Sequence, residues 1–99
     1  MSTKTYAVPF RGATLHVTHT PGDRWGTPCR ANLPGVGTAG LHLSTVIGDV
    51  AAMWEAIGAP TEGRFLGYPE PVAATPGEIV ALGKPYEQER LRAIFARAS

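Results

Sequence analysis

Two short segments near the start of the chain place apolar side chains at every second position. Residues 5–10 follow this pattern, and residues 13–20 repeat it with several β-branched side chains. Alternation with a period of two is typical of half-buried β-strands. The Arg-Gly pair between the segments suits a tight turn, so the pattern predicts a β-hairpin. Pro9 cannot donate to a strand ladder, which places the first strand at a sheet edge.

Two longer segments carry the spacing of amphipathic helices. Apolar residues recur every three or four positions over residues 45–57 and again over residues 86–97. Each segment therefore predicts a helix with one buried face. Ser44 is a suitable N-cap for the first helix, and Pro85 suits the first turn of the second. A Gly-Ala-Pro sequence after the first helix is a typical stop signal.

The remaining segments have weaker patterns. Residues 21–40 are rich in glycine and proline and predict a long loop, with one candidate short strand at 29–33. Short strands are also expected at 41–43, at 64–68 and over the apolar run at 78–83.

The order of these elements predicts an α+β fold in a single domain that spans residues 1–99. Its sheet is small and mostly antiparallel, and consists of the N-terminal hairpin and one or two further strands. Two helices, at about 45–57 and 86–97, pack against one face of this sheet. A chain of 99 residues is long enough for one modest core.

Charge and cysteine content narrow the range of partners. Nine Lys and Arg residues against eight Asp and Glu give a net charge of +1, which produces no long-range attraction to nucleic acid or anionic membrane. The same balance leaves a surface that can associate without strong repulsion. A single cysteine, Cys29, permits no intrachain disulfide and favours a reducing compartment. With no signal-peptide pattern and no apolar span of about 18 residues, the expected location is the cytoplasm.

Residues 35–40, GVGTAG, match the G-x-G-x-x-G string of dinucleotide-binding folds. In those folds the string follows a buried strand and opens a helix. Here the preceding CRANLP is a poor buried strand, and Leu-His-Leu separates the string from the next helix. The lysine of a phosphate-binding P-loop is also absent. We therefore interpret the string as part of a glycine-rich loop and expect no nucleotide cofactor.

Metal-binding and catalytic patterns are weak as well. His16 and His19 are three apart on a predicted strand and point to opposite faces, so the sequence predicts no metal site. Cys29 beside Arg30 could have a lowered thiol pKa, but no helix start follows it and no orienting acid is placed near it. The sequence thus assigns no catalytic residue and favours a non-enzymatic protein. A small enzyme or ligand binder that uses His16, Cys29 or His42 remains a further hypothesis.

The candidate partner-binding residues are arginines and aromatic residues in the two irregular segments. This combination is enriched at protein–protein hot spots and also suits stacking on single-stranded nucleic acid. The aromatic side chains could instead cover the edges of the core. The candidates are Arg24, Trp25, Arg30, Arg64 and Tyr68.

The balanced charge favours a protein partner or self-association over nucleic acid. The expected function is a small cytoplasmic protein-interaction module that acts through residues 21–40 and a sheet edge. Such a chain would be an accessory or mobile-element protein that modulates a host or partner protein. The alternative is a nucleic-acid-binding accessory protein that uses Arg24, Trp25, Arg30 and Arg64.

Overall fold

Four strands in the first half of the chain form a meander in which each strand pairs antiparallel with the next. The structure is a computed structural model that describes residues 3–22, 28–63 and 70–97. The first two strands form the predicted hairpin. The four strands are β1 (Lys4–Phe10), β2 (Ala13–His19), β3 (Cys29–Leu33) and β4 (Val36–Gly40).

The second half of the described chain adds three helices and one short strand. These elements are α1 (Leu43–Ala56), β5 (Val72–Ala73), α2 (Pro76–Leu82) and α3 (Pro85–Ala96). The strand order is β4-β3-β2-β1-β5, and β5 runs parallel to β1. The predicted α+β class with a mostly antiparallel sheet is confirmed, with three helices instead of two. In the described part of the chain, no helix has the length and apolar character needed to cross a bilayer.

The candidate short strand at 29–33 is confirmed as β3, whereas the expected loop after it contains the strand β4. Pro34 and Gly35 form the turn between them, and Gly35 has a φ of 88°, which favours glycine. A Cβ atom on Gly37 would collide with the side chain of Asn32. The GVGTAG string is thus largely a strand, and the glycine at 37 permits a close approach to a neighbouring side chain. Residues 23–27 of the predicted loop lie outside the described residues.

Pro9 predicted that the first strand lies at an edge of the sheet, and this prediction is wrong. β1 lies between β2 and β5, but β5 pairs only with Tyr6 and Ala7. Pro9 lies beyond this short pairing and therefore needs no donor on that side. The proline is accommodated because the neighbouring strand is short.

The apolar run at 78–83 was predicted as a strand, but residues 78–82 are helical within α2 and Gly83 caps the end of that helix. A reciprocal capping box starts this helix: the Thr75 hydroxyl accepts the Glu78 N–H at 3.2 Å, and Glu78 Oε1 accepts the Thr75 N–H at 3.1 Å. Pro76 occupies the first helical position, which suits a residue without an N–H. A short apolar run fits a buried helix or a buried strand equally well, and the cap decides between them. The expected strand at 41–43 is also wrong, because α1 begins at Leu43.

The core lies between the sheet and the helices. Phe10 packs edge-to-face on Trp54 and on Phe95, with ring centroids 5.8 and 6.2 Å apart. Trp54 is fully buried and donates its indole N–H to the Pro60 carbonyl at 2.7 Å. Met53, which precedes Trp54 in the same helix, is 38% exposed. The two predicted helices are confirmed to within two residues at each end.

Candidate functional site

One of the five predicted partner-binding residues, Arg30, lies in the described part of the chain. Arg24, Trp25, Arg64 and Tyr68 lie outside the described residues, so their role stays a prediction. The Arg30 side chain is exposed on β3, between Thr18 of β2 and Ala39 of β4. It lies on the sheet face opposite the buried side chains of the same strand.

The outer edge of β4 is an accessible feature beside Arg30. Among the described strands, β4 has a neighbour on one side only. Its five residues include no charged residue and no proline, and Gly37 and Ala39 are exposed. The opposite edge of the sheet is formed by β5, which has two residues and is preceded by Pro71 and followed by Pro76. A strand partner therefore finds a longer and less protected template at β4 than at β5.

A second feature is a cleft of about 540 Å³ at one end of the sheet. It lies where β2 ends and β3 begins, beside the starts of α1 and α3. Its lining combines apolar walls with several titratable groups. The lining residues are His19, Thr20, Pro21, Gly22, Pro28, Cys29, Leu41, His42, Leu43, Leu82, Lys84 and Glu87.

Glu87 forms the buried base of this cleft and caps two helices at once. Its Oε1 accepts the backbone N–H of Ser44 at 3.0 Å and the Ser44 hydroxyl at 3.2 Å. Its Oε2 accepts the backbone N–H of Lys84 at 3.1 Å, at the start of α3. Ser44 was predicted to be the N-cap of α1, but His42 occupies that position without a side-chain cap bond. The Glu87 carboxylate, which belongs to α3, accepts the N–H group that a side-chain cap of α1 would otherwise bind.

The hydrogen bonds keep Glu87 ionised despite its burial. Burial alone would raise the pKa of its carboxyl group, but the bonds donated by Ser44 and Lys84 outweigh burial and lower this pKa below its usual value. The nearby His42 acts in the same direction. The cleft therefore has a fixed negative charge that is already satisfied by protein donors.

The thiol of Cys29 and the half-buried imidazole of His19 lie near Glu87, and burial disfavours the charged form of each. Burial and the charge of Glu87 raise the pKa of Cys29 from 9.0 to about 11, so its thiol stays protonated and is a poor nucleophile. Arg30 was expected to lower the pKa of this thiol, but its side chain lies on the other face of the sheet and has no such effect. Burial also lowers the pKa of His19, against an opposing effect of Glu87.

The cleft brings together two of the three residues in the ligand-binder hypothesis. Cys29 and His42 line it, whereas His16 lies on the opposite sheet face, as expected for residues of odd and even number along β2 and β3. The His42 ring accepts or donates a hydrogen bond at 3.0 Å from Nδ1 to the Tyr86 hydroxyl. Within the described residues, no three His, Cys, Asp or Glu side chains cluster in a way that could hold a metal ion.

Sequence reasoning did not identify His19, Lys84 or Glu87 as neighbours in one site. The Lys-Pro-x-Glu start of α3 is a visible signal that Glu87 caps its own helix. Nothing in the sequence places that carboxylate against Ser44, since the two residues are 43 positions apart. This contact arises only from the packing of α3 on α1.

Comparison with known proteins provides no family and no relative for this chain. No protein-family model, no curated protein and no solved structure matches it. The function is therefore argued from the geometry of the β4 edge and of the cleft.

Proposed function

We propose that this protein is a cytoplasmic protein-interaction module that adds an extended segment of a partner protein to the outer edge of β4. The observation that carries the proposal is the unprotected β4 edge, which has one neighbour among the described strands and neither charge nor proline. In that role the chain acts as an accessory to the protein it binds. Its lone thiol at Cys29 is compatible with a reducing compartment.

Backbone chemistry supplies the attraction in this mode of binding. Alternate residues of an edge strand direct their N–H and C=O groups away from the neighbouring strand. A partner segment that pairs with these groups extends the sheet, and the side chains beside the edge select the sequence that fits. The small exposed side chain of Ala39 leaves room for such a segment.

Side chains near the edge can contribute selectivity. Arg30 pairs across the strands with Ala39 and is exposed on the same face. Its guanidinium group suits a carboxylate or an aromatic ring on the incoming segment. The net charge of +1 places little long-range repulsion in the way of a protein partner.

The decisive experiment compares two exposed lysine substitutions on the same sheet face. Ala39→Lys places a charge on the β4 edge, where charged side chains oppose strand addition. Thr14→Lys adds the same charge on the internal strand β2 and is the matched control. Each protein is first sized in solution and then used to capture partners from the lysate of its native host, with and without nuclease. Urea unfolding verifies that both variants fold.

We expect wild type and Thr14→Lys to capture the same nuclease-resistant protein, and Ala39→Lys to lose it. If the captured protein is a second copy of the chain, sizing shows a dimer that Ala39→Lys dissociates. Equal capture by both variants would contradict the proposal. A partner that nuclease releases would favour the nucleic-acid alternative instead.

A further inference from the structure

The cleft at the end of the sheet has the size and the lining of a small-molecule site. Its volume of about 540 Å³ is within the range of roughly 300–1,000 Å³ that is usual for such sites. Its walls are mainly apolar, and Leu41 at the mouth is 56% exposed. The apolar wall residues are Pro21, Pro28, Leu41, Leu43 and Leu82.

The Glu87 carboxylate at the base of the cleft already uses both of its oxygens in hydrogen bonds within the protein. Glu87 is 4% exposed, and three hydrogen bonds from Ser44 and Lys84 occupy its two oxygens. A cationic ligand would have to compete with these donors for the carboxylate. Because that competition would uncap two helices, direct pairing of a cation with Glu87 is disfavoured, although the charge of Glu87 still acts on other groups in the cleft.

The positive charge beside the cleft is available. The Lys84 side chain is exposed and forms no ion pair with any described residue. His42 uses its Nδ1 atom in the contact with Tyr86, and none of the described residues engages its Nε2 atom. An ammonium group and an imidazole are therefore among the polar groups that line a cleft with mainly apolar walls.

We propose that this cleft binds a small, mainly apolar molecule that carries one carboxylate. The carboxylate lies at the Lys84 ammonium group and the His42 imidazole, and the apolar part lies against Leu41, Leu43 and Leu82. A charge-assisted hydrogen bond fixes the orientation, and burial of apolar surface provides most of the affinity. This site is separate from the β4 edge, so either proposal can fail without the other.

The test uses three molecules of the same shape and different charge: phenylbutanoate, phenylbutanamide and phenylbutylamine. Each is titrated into the ¹⁵N-labelled protein while amide chemical shifts are recorded. We expect phenylbutanoate to shift the amides of Leu41, His42, Leu43 and Lys84. It should bind about fivefold more tightly than the neutral amide, as expected for one partly exposed charge interaction.

The two lysines of the chain supply a matched pair of variants. Lys84→Gln removes the charge at the cleft, and Lys4→Gln removes an exposed charge at the start of β1. We expect Lys84→Gln to weaken phenylbutanoate binding about fivefold and to leave the amide unaffected, whereas Lys4→Gln changes neither. Amide shifts away from the cleft verify that both variants keep the fold.

Three results would overturn the proposal. The first is the absence of shifts at the cleft with all three molecules at millimolar concentration. The second is tighter binding of the amine than of the acid, which would show that Glu87 and not Lys84 selects the ligand. The third is an equal effect of the two lysine substitutions, which would reduce the role of Lys84 to general charge.

Discussion

The helices α1 and α2 begin in opposite ways. The start of α2 is capped by its own residues, since Thr75 and Glu78 exchange two hydrogen bonds within four positions of the chain. The start of α1 has no side-chain cap and no acidic residue in its first turn. Its N–H group at Ser44 is instead satisfied by Glu87 of α3, in a buried contact. A local cap and a tertiary cap thus perform the same task in one small domain.

The difference determines what each cap stabilises. An exposed local cap contributes to one helix, and its loss leaves backbone groups that water can still reach. The buried carboxylate of Glu87 holds the starts of α1 and α3 together, so its loss leaves donors of both helices unpaired. Buried donors without a partner cost more than exposed ones. Three measurements sharpen this contrast.

The largest effect is expected from Glu87→Ala. The substitution removes the acceptor of three hydrogen bonds and opens a void beside Ser44 and Lys84. We expect the free energy of unfolding to fall by about 3 kcal/mol, measured by urea denaturation. Glu89→Ala, at an exposed position of the same helix, is the control and should change it by less than about 0.5 kcal/mol. Similar losses for the two variants would exclude the tertiary cap.

A smaller effect is expected from pH, because a protonated carboxyl group keeps part of its hydrogen bonding. The folded-state pKa of Glu87 is lowered from 4.5, so its stabilising contribution is complete above pH 4.5 and its ionised form is lost as the pH falls through the folded value. The stability difference between wild type and Glu87→Gln should therefore narrow on acidification from pH 4.5 to pH 3. Unfolding curves at several pH values measure this difference.

Two histidines also make the stability of the fold depend on pH, at higher pH values than Glu87 does. Burial lowers the pKa values of His16 and His19 from 6.5. Wild type and Glu87→Gln therefore both lose stability as the pH falls below that value. The loss from His16 is common to wild type and Glu87→Gln and cancels in the comparison. The loss from His19 is larger in Glu87→Gln, because the charge of Glu87 that opposes the effect of burial is gone, so the charge of Glu87 is tested below pH 4.5. A difference that stays constant below pH 4.5 would show that the charge of Glu87 is not what stabilises the two helix starts.

The smallest effect is expected at the local cap. Thr75→Ala removes the acceptor for the Glu78 N–H, and we expect a loss of about 1 kcal/mol in the free energy of unfolding. Thr75→Ser retains the hydroxyl oxygen and should keep most of this stability. Thermal unfolding of the three proteins measures the series. If Ser and Ala at this position are equally destabilising, the hydroxyl group is not the cap.

The same contrast explains how much of the fold could be predicted from the sequence. The helices α1 and α3 and the β1–β2 hairpin have regular apolar spacing over enough residues to identify them. The helix α2 was missed although its Thr-Pro-Gly-Glu start is a local signal, because the apolar run that follows is compatible with a strand. The strand β4 was missed because its side chains are small and carry no alternating pattern.

The cleft could not be predicted in the same way. Its titratable residues come from four elements and their flanks, and their proximity depends on how α3 packs on α1. A carboxylate in the first turn of a helix is usually explained by that helix alone. For Glu87 this local explanation accounts for the hydrogen bond from Lys84, which lies at the start of the same helix. It does not account for the hydrogen bond from Ser44, which lies in α1. Contacts over such distances in sequence follow from tertiary packing and have no signature in a single chain segment.

The contact between Glu87 and Ser44 also has a consequence for the order in which the protein matures. The β1–β4 meander uses neighbouring strands and can assemble while later residues are still being synthesised. The start of α1 obtains its cap only when α3 has emerged from the ribosome, and β1 gains its second neighbour only when Val72 is available. A nascent chain that stops before α3 therefore leaves the start of α1 without its cap. The start of α1 is thus secured by a helix that is translated after it.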